Sequence, residues 1–315
     1  MTDLQTDAEG RLRHLLSLEG LPRPELERLL ERAQQLTADA HGGTAQRGVL
    51  AGKAVCTLFF EPSTRTRSSF SLAAQRLGAD LLNFDASTAS TTKGEADLDT
   101  LKTLEAMGVH AFVVRHKRDG AVAELAAAAT PGTVLLNAGD GRSNHPTQGL
   151  LDMLTLRQAK GADFSRLKVA IVGDVKHSRV ARSDLHALRT LGCGEIRVCG
   201  PASLLPDDDT LRGCTVTDDL DAALDGVDAA MMLRLQRERM AEGLVASIED
   251  YHRDYGLTDS RLARAAPDAI VMHPGPMNRG VEITDEVADG PQSRVLRQVA
   301  NGVAVRMAVL EALLG

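Results

Sequence analysis

Short runs of Val, Leu and Ile alternate with segments of helical period along most of this chain, and that alternation constrains its fold more than any other feature. Strands buried on both faces need continuous apolar runs, and parallel neighbours need a crossover helix, so the pattern predicts βαβ units around mostly parallel sheets. Strands are expected at Ala54–Phe60, Ala111–Arg115, Thr133–Asn137, Lys168–Gly173, Ile196–Cys199, Ala229–Leu233 and Ala269–Met272. Phe70, Ala73, Ala74 and Leu77 recur at i, i+3, i+4 and i+7, one face of a helix, and Leu296, Val299, Val303, Met307, Leu310 and Leu314 repeat that spacing at the end. The order strand, polar turn, helix occurs at Ala54–Phe60 and again at Lys168–Gly173, which predicts two α/β lobes, each a mostly parallel sheet flanked by helices. The first ends near Asn144, and His145 to about Lys160 reads as a helix crossing into the second.

Length and charge narrow the function. A chain of 315 residues suits about two domains of ~150 residues each. It carries 36 Lys plus Arg against 43 Asp plus Glu, a net charge of −7, with no Trp, two Tyr and six Phe. Nucleic-acid binders hold a polyanion through surplus cations and aromatic platforms, so nucleic acid is excluded as a partner, and any anion must be bound locally. Cys56, Cys193, Cys199 and Cys214 form no CxxC pair or His–Cys cluster, which points to reduced thiols and to no metal. No signal-peptide or membrane-span segment is present, so a cytoplasmic location is expected.

The most informative segment is FFEPSTRTRSSF at Phe59–Phe70, where an apolar strand stops at Pro62 and a helix opens on hydroxyls and arginines. Free N–H groups, the positive end of the helix dipole, hydroxyls and a guanidinium converge there, which suits a phosphate. An N-cap with solvated arginines is the plainer alternative, yet Ser63, Thr64, Arg65, Thr66 and Arg67 supply far more donors than a cap requires. VVRH at Val113–His116 puts Arg115 at a strand's carboxyl end, where open α/β sheets bind ligands, although strand-end arginines are as often surface residues. NAGDGRSNHPTQ at Asn137–Gln148 delivers His145 and Gln148 on one helical turn; alone, His145 is equally consistent with a structural histidine.

VGDVKHSRVAR at Val172–Arg182 resembles a dinucleotide turn but has only Gly173 of G-x-G-x-x-G, so a nicotinamide cofactor is disfavoured and no cofactor is expected. MLRLQRER at Met232–Arg239 sets Arg234 and Gln236 just past a strand, and HPGPMNRG at His273–Gly280 forms a proline-constrained turn past another. The run Arg237, Glu238, Arg239 reads as a solvated face.

Taken in order, FFEPSTRTRSSF, KGE at Lys93–Glu95, VVRH, HPTQ, VGDVKHSR, RLQRER and HPGPMNRGVEI resemble the aspartate carbamoyltransferase catalytic chains of the aspartate/ornithine transcarbamoylase superfamily. STRTR and HPTQ are shared across the superfamily. The ornithine-specific relatives carry an HCLP turn and an SMG loop, whereas this chain has HPGP with no cysteine and keeps Arg234 and Gln236.

The resemblance implies transfer of a carbamoyl group from carbamoyl phosphate to L-aspartate, an early committed step of pyrimidine synthesis, in a homotrimer with shared sites. It implies a carbamoyl-phosphate-binding domain at 1–144, an aspartate-binding domain at 145–291, and a terminal helix at about 292–315 that packs back on the first. Ser63, Thr64, Arg65, Thr66 and Arg115 would hold the phosphate. Thr66, Arg115 and His145 would donate to the carbamoyl oxygen, while Gln148 and the carbonyls of Pro274 and Gly275 would accept from its NH2. Arg179, Arg234 and Gln236 would hold aspartate, and Lys93 would reach in from a neighbouring subunit. The family's loop serine lies four residues before that lysine; Ala89 stands there, and Ser90, three before, is its candidate replacement. A transcarbamoylase for another amine such as ornithine, or a noncatalytic phosphate-binding relative, is the alternative, and association with regulatory or dihydroorotase-like subunits is left open.

Overall fold

A computed structural model describes residues 2–42, 46, 48–85, 96–235, 243 and 246–315. The chain divides into two compact units, Met1–Leu154 with Ala300–Gly315, and Thr155–Val299. Each holds one parallel sheet.

The first sheet contains β1 (Ala54–Phe59), β2 (Asp80–Asp85), β3 (Ala111–His116) and β4 (Val134–Asp140), in the order β2-β1-β3-β4. β1, β3 and β4 were expected from their apolar runs, and burial explains the runs: every residue of these three strands except Ala54 is buried. The edge strand β2 was not expected, because DLLNFD begins and ends on acids and Leu82 remains exposed. On one face, Cys56, Leu58, Phe112, Val114, Val122 and Leu125 form a core. The Thr64–Leu77 helix buries Phe70, Ala73, Ala74 and Leu77, the predicted face, and ends at Gly78 in the left-handed region.

The second sheet contains β5 (Lys168–Val172), β6 (Glu195–Cys199), β7 (Thr215–Thr217), β8 (Ala229–Met232) and β9 (Ile270–Met272), in the order β7-β6-β5-β8-β9. Ala170, Val172, Ala230, Met232 and Val271 pack against Leu224, Val227, Leu262 and Ile283. In both sheets the chain runs outward in one direction from one strand and then returns to build on its other side, which makes the carboxyl ends of β1 and β3, and of β5 and β8, switch points. Those are where open sheets of this kind bind ligands.

The terminal helix, Val295–Leu314, departs from its predicted face. Met307 and Leu310 are buried, but Leu296 is 83% exposed and Val299 51%. The inward side of the first turns is polar instead: Gln298 is buried, and its Oε1 accepts from the His273 amide at 3.0 Å. Cys56 and Cys199 are buried and Cys193 and Cys214 half-buried, all as free thiols. Burial pushes Cys56 and Cys199 up to about 12 and Cys193 up to about 11, which makes them inert at neutral pH. Among the described residues, no helix is long and apolar enough to cross a membrane.

Candidate active site

In the first unit, β1 runs into a turn that opens the Thr64–Leu77 helix, with Ser63 at the N-cap in extended conformation. Its hydroxyl does not cap the helix; it donates to Thr66 Oγ1 at 3.0 Å. With no side-chain cap from Ser63, the positive end of this helix suits the anion reading better than the simple cap. Thr66 is buried, Ser63 half-buried, and Thr64 and Arg65 exposed. The next arginine, Arg67, stacks over the Phe59 ring at 5.0 Å.

Arg115, last but one in β3, is in register with Phe59 of β1 and is 8% exposed, so the surface-arginine alternative does not hold. Its Nη2 donates to Glu61 Oε1 at 3.1 Å and its Nη1 to the Ala138 carbonyl at 3.2 Å. Glu61 thus positions the guanidinium at the β1 turn, a role its place in FFEPST did not signal. The carboxyl end of β4, where the chain begins its turn toward His145, is held by Asn137, which donates to Asp140 Oδ1 at 2.9 Å and accepts from the Gly139 amide at 2.8 Å. Burial raises the Asp140 carboxyl above its ordinary range, and hydrogen bonds from Asn137, Gly120 and Asn144 oppose that rise. Out of this turn come His145, 5% exposed, and the helix Pro146–Lys160. The Gln148 amide donates to the His145 carbonyl at 2.9 Å, so both side chains stand on one turn.

In the second unit, β5 leads into Gly173, which has φ 122° and donates to the Cys199 carbonyl at 2.8 Å. A Cβ there would meet Tyr251 Oη at 2.9 Å, so glycine is required by conformation and by space. Beyond it, Asp174 Oδ1 binds the His177 amide at 3.2 Å and lies 2.7 Å from His177 Nδ1. Ser178 caps the next helix by accepting from the Ala181 amide at 3.1 Å, and half-buried Arg179 is that helix's first residue. Arg234 lies just past β8 and is exposed.

Past β9, the HPGP turn carries a cis Gly275–Pro276 bond, with Gly275 at φ 64°. His273 Nδ1 accepts from the Gly275 amide at 2.8 Å, so its Nε2 carries the proton toward Glu282 Oε1 at 3.1 Å. Glu282 also accepts from the Asn278 amide at 2.6 Å, and Asn278 Nδ2 donates to the Leu235 carbonyl at 2.7 Å. The turn presenting Pro274 and Gly275 is thereby tied to the residue after Arg234. Nothing in the sequence signalled this link, because Asn278 and Leu235 are 43 positions apart. Ser90, Lys93 and Gln236 lie outside the described residues. Among the described residues no group of three His, Cys, Asp or Glu side chains could hold a metal ion.

The family model for the aspartate/ornithine carbamoyltransferase carbamoyl-P binding domain matches residues 13–158, and that for the Asp/Orn binding domain matches 165–313. The aspartate carbamoyltransferase catalytic subunit of Xanthomonas campestris pv. campestris is 77% identical over 315 residues, all of both chains. Among solved structures, an aspartate transcarbamoylase from Trypanosoma cruzi in complex with carbamoyl aspartate and phosphate matches at TM-score 0.86 and 31% identity over 100% of each chain. An ornithine carbamoyltransferase from Thermus thermophilus matches nearly as well in shape, at TM-score 0.84 and 29% identity over 96% of this chain and 99% of that one. Shape therefore identifies the family without separating its amines, while the far higher full-length sequence identity is to the aspartate branch. The chain belongs to the aspartate/ornithine carbamoyltransferase family, among its aspartate carbamoyltransferase catalytic subunits.

Proposed function

We propose that this chain is a carbamoyltransferase that converts carbamoyl phosphate and L-aspartate into N-carbamoyl-L-aspartate and phosphate, an early committed step of pyrimidine synthesis. Arg115 carries this reading: a buried guanidinium at a sheet switch point, anchored by Glu61 at the turn where the Thr64–Leu77 helix opens. The 77% identity to an aspartate carbamoyltransferase catalytic subunit supports aspartate as the acceptor.

Attack of the aspartate amine on the carbonyl carbon forms a C–N bond and puts negative charge on the carbamoyl oxygen. The C–O bond to phosphate then breaks, and the departing phosphate takes the amine proton. Fixed donors help only where they bind the tetrahedral species better than the substrate, and losing one typically costs ~3 to 4 kcal/mol. Thr66, Arg115 and His145 fill that role, with His145 as a neutral donor. Ser63, Thr64, Arg65, Thr66 and Arg115 hold the phosphate. Gln148 and the carbonyls of Pro274 and Gly275 take the carbamoyl NH2. Arg179 and Arg234 suit the two carboxylates of aspartate by forked hydrogen bonding, with Gln236 fixing its orientation. Catalysis is then positioning and electrostatics, without a covalent intermediate.

The proposal extends to a cytoplasmic homotrimer in which Lys93, with Ser90 near it, completes a neighbouring subunit's site. Mixing Lys93→Gln chains with Arg65→Ala chains restores activity in some hybrids if sites are shared, and in none if they are not. The reaction itself is tested by giving the purified protein carbamoyl phosphate with aspartate, ornithine and other amino acids. Carbamoylation of aspartate alone is expected; ornithine as the preferred acceptor, or no turnover with any amine, would replace this reading.

A further inference from the structure

The Gln148 side chain is held by a residue that the proposed chemistry does not use. Asp152, one helical turn further along the Pro146–Lys160 helix, is fully buried, and both its oxygens lie 3.1 Å from Gln148 Nε2. An ionised carboxylate can only accept, so it selects the NH2 end of the Gln148 amide and turns Oε1 the other way. A buried carboxylate needs a compensating charge. The buried Arg306 of the terminal helix is a cation that attracts it: burial lowers this guanidinium to about 10, and the Asp152 charge opposes the fall. Arg306 also lies over the Phe70 ring at 5.0 Å, on the helix that opens at Ser63–Thr66. Room for it comes from Gly302, where a Cβ would fall 2.4 Å from Arg306 Nη1 and 3.3 Å from Leu151 Cδ2. A glycine inside a helix costs about 1 kcal/mol relative to alanine. Here the missing methyl is the space the guanidinium occupies.

We propose that Asp152, backed by Arg306, is a positioning residue that fixes the Gln148 amide with its oxygen outward, so that the site selects a substrate bearing NH2 over one bearing a methyl at the same place. The inference rests on the carbamoyl phosphate reading above. Acetyl phosphate is the discriminating probe, since it replaces the carbamoyl NH2 by CH3 and keeps the carbonyl and the phosphate.

The wild-type protein is first titrated with both phosphates by calorimetry. Preference for carbamoyl phosphate is the expected result; equal affinity, or no binding of either, would overturn the functional reading and this inference with it. Asp152→Asn keeps the shape and frees the Gln148 amide to rotate. It should weaken carbamoyl phosphate binding about tenfold, the equivalent of one hydrogen bond to a well-placed acceptor, and leave acetyl phosphate within about twofold. Gly302→Ala, which crowds Arg306 and leaves Asp152 and Gln148 intact, should produce the same selective loss to a smaller extent, and serves as the test if the Asp152 variant does not fold. In a folded variant, undiminished preference for carbamoyl phosphate, or equal loss of both ligands, would overturn the proposal.

Discussion

In the first unit, Arg115, His145 and Gln148 are each less than a tenth exposed, and Glu61, Asp152 and the Asn137–Asp140 turn hold the elements that carry them. In the second, Arg179 is half-buried and Arg234 exposed, although the strands that lead to them, β5 and β8, are largely buried in their sheet. The difference is one of dielectric and of preorganisation. Donors already desolvated and fixed in direction act strongly on developing charge and reject ligands that leave them unpaired. An exposed guanidinium remains screened by water, and its value depends on the two-pronged fit a carboxylate brings. The first unit is therefore expected to carry most of the catalytic effect and the second the choice of acceptor.

The largest expected effect is at Arg115. Arg115→Ala should lower kcat/KM about 10²- to 10³-fold, with a smaller loss of carbamoyl phosphate affinity, as measured by steady-state kinetics and direct binding. A loss of under tenfold would break the contrast between the units. Next is Arg234→Ala, which should raise the KM for aspartate about ten- to a hundredfold, the value of a charge-assisted hydrogen bond, while carbamoyl phosphate saturation is unchanged.

Two smaller predictions ask whether the scaffolds behave as the contrast requires. Gly173→Ala forces a side chain into φ 122° and against Tyr251 Oη, and should destabilise the protein by about 1–3 kcal/mol in urea unfolding. An unchanged midpoint would mean the β5 turn is not constrained as described. In the first unit, His14 Nδ1 accepts from the Leu135 amide at 3.0 Å, and burial lowers this imidazole to about 4. The unfolded chain takes up this proton near pH 6.5 and the folded one only near 4, so stability is full above 6.5 and falls as pH drops between the two values. His14→Asn should flatten that part of the stability profile; an unaltered slope would assign it to other groups.

What was legible in the sequence follows the same physics. β1, β3, β4, β5 and β8 are buried strands and announce themselves as apolar runs. β2 and β7 are edge strands whose side chains stay largely exposed, unlike the covered edges β4 and β9, so no apolar run marks them. The proposed site residues at Ser63–Thr66, Arg115, His145 and Gln148 stand out in the sequence because they fall in short polar motifs after apolar strands. The residues that orient them were not. Asp152 looks like any helix aspartate until its bond to Gln148 is seen, and the Asn278–Leu235 link joins segments whose proximity only the sheet order creates. Likewise, the polar inner side of the terminal helix, Gln298 and Arg306, is invisible to a search for apolar period.

The division of labour between the units is tested most directly by equilibrium binding of carbamoyl phosphate, without aspartate, to Arg115→Ala and Arg234→Ala side by side. The account predicts that the Arg115 variant loses most of its affinity and that the Arg234 variant binds as the wild type does. Equal loss in both, or loss only in the Arg234 variant, would contradict it.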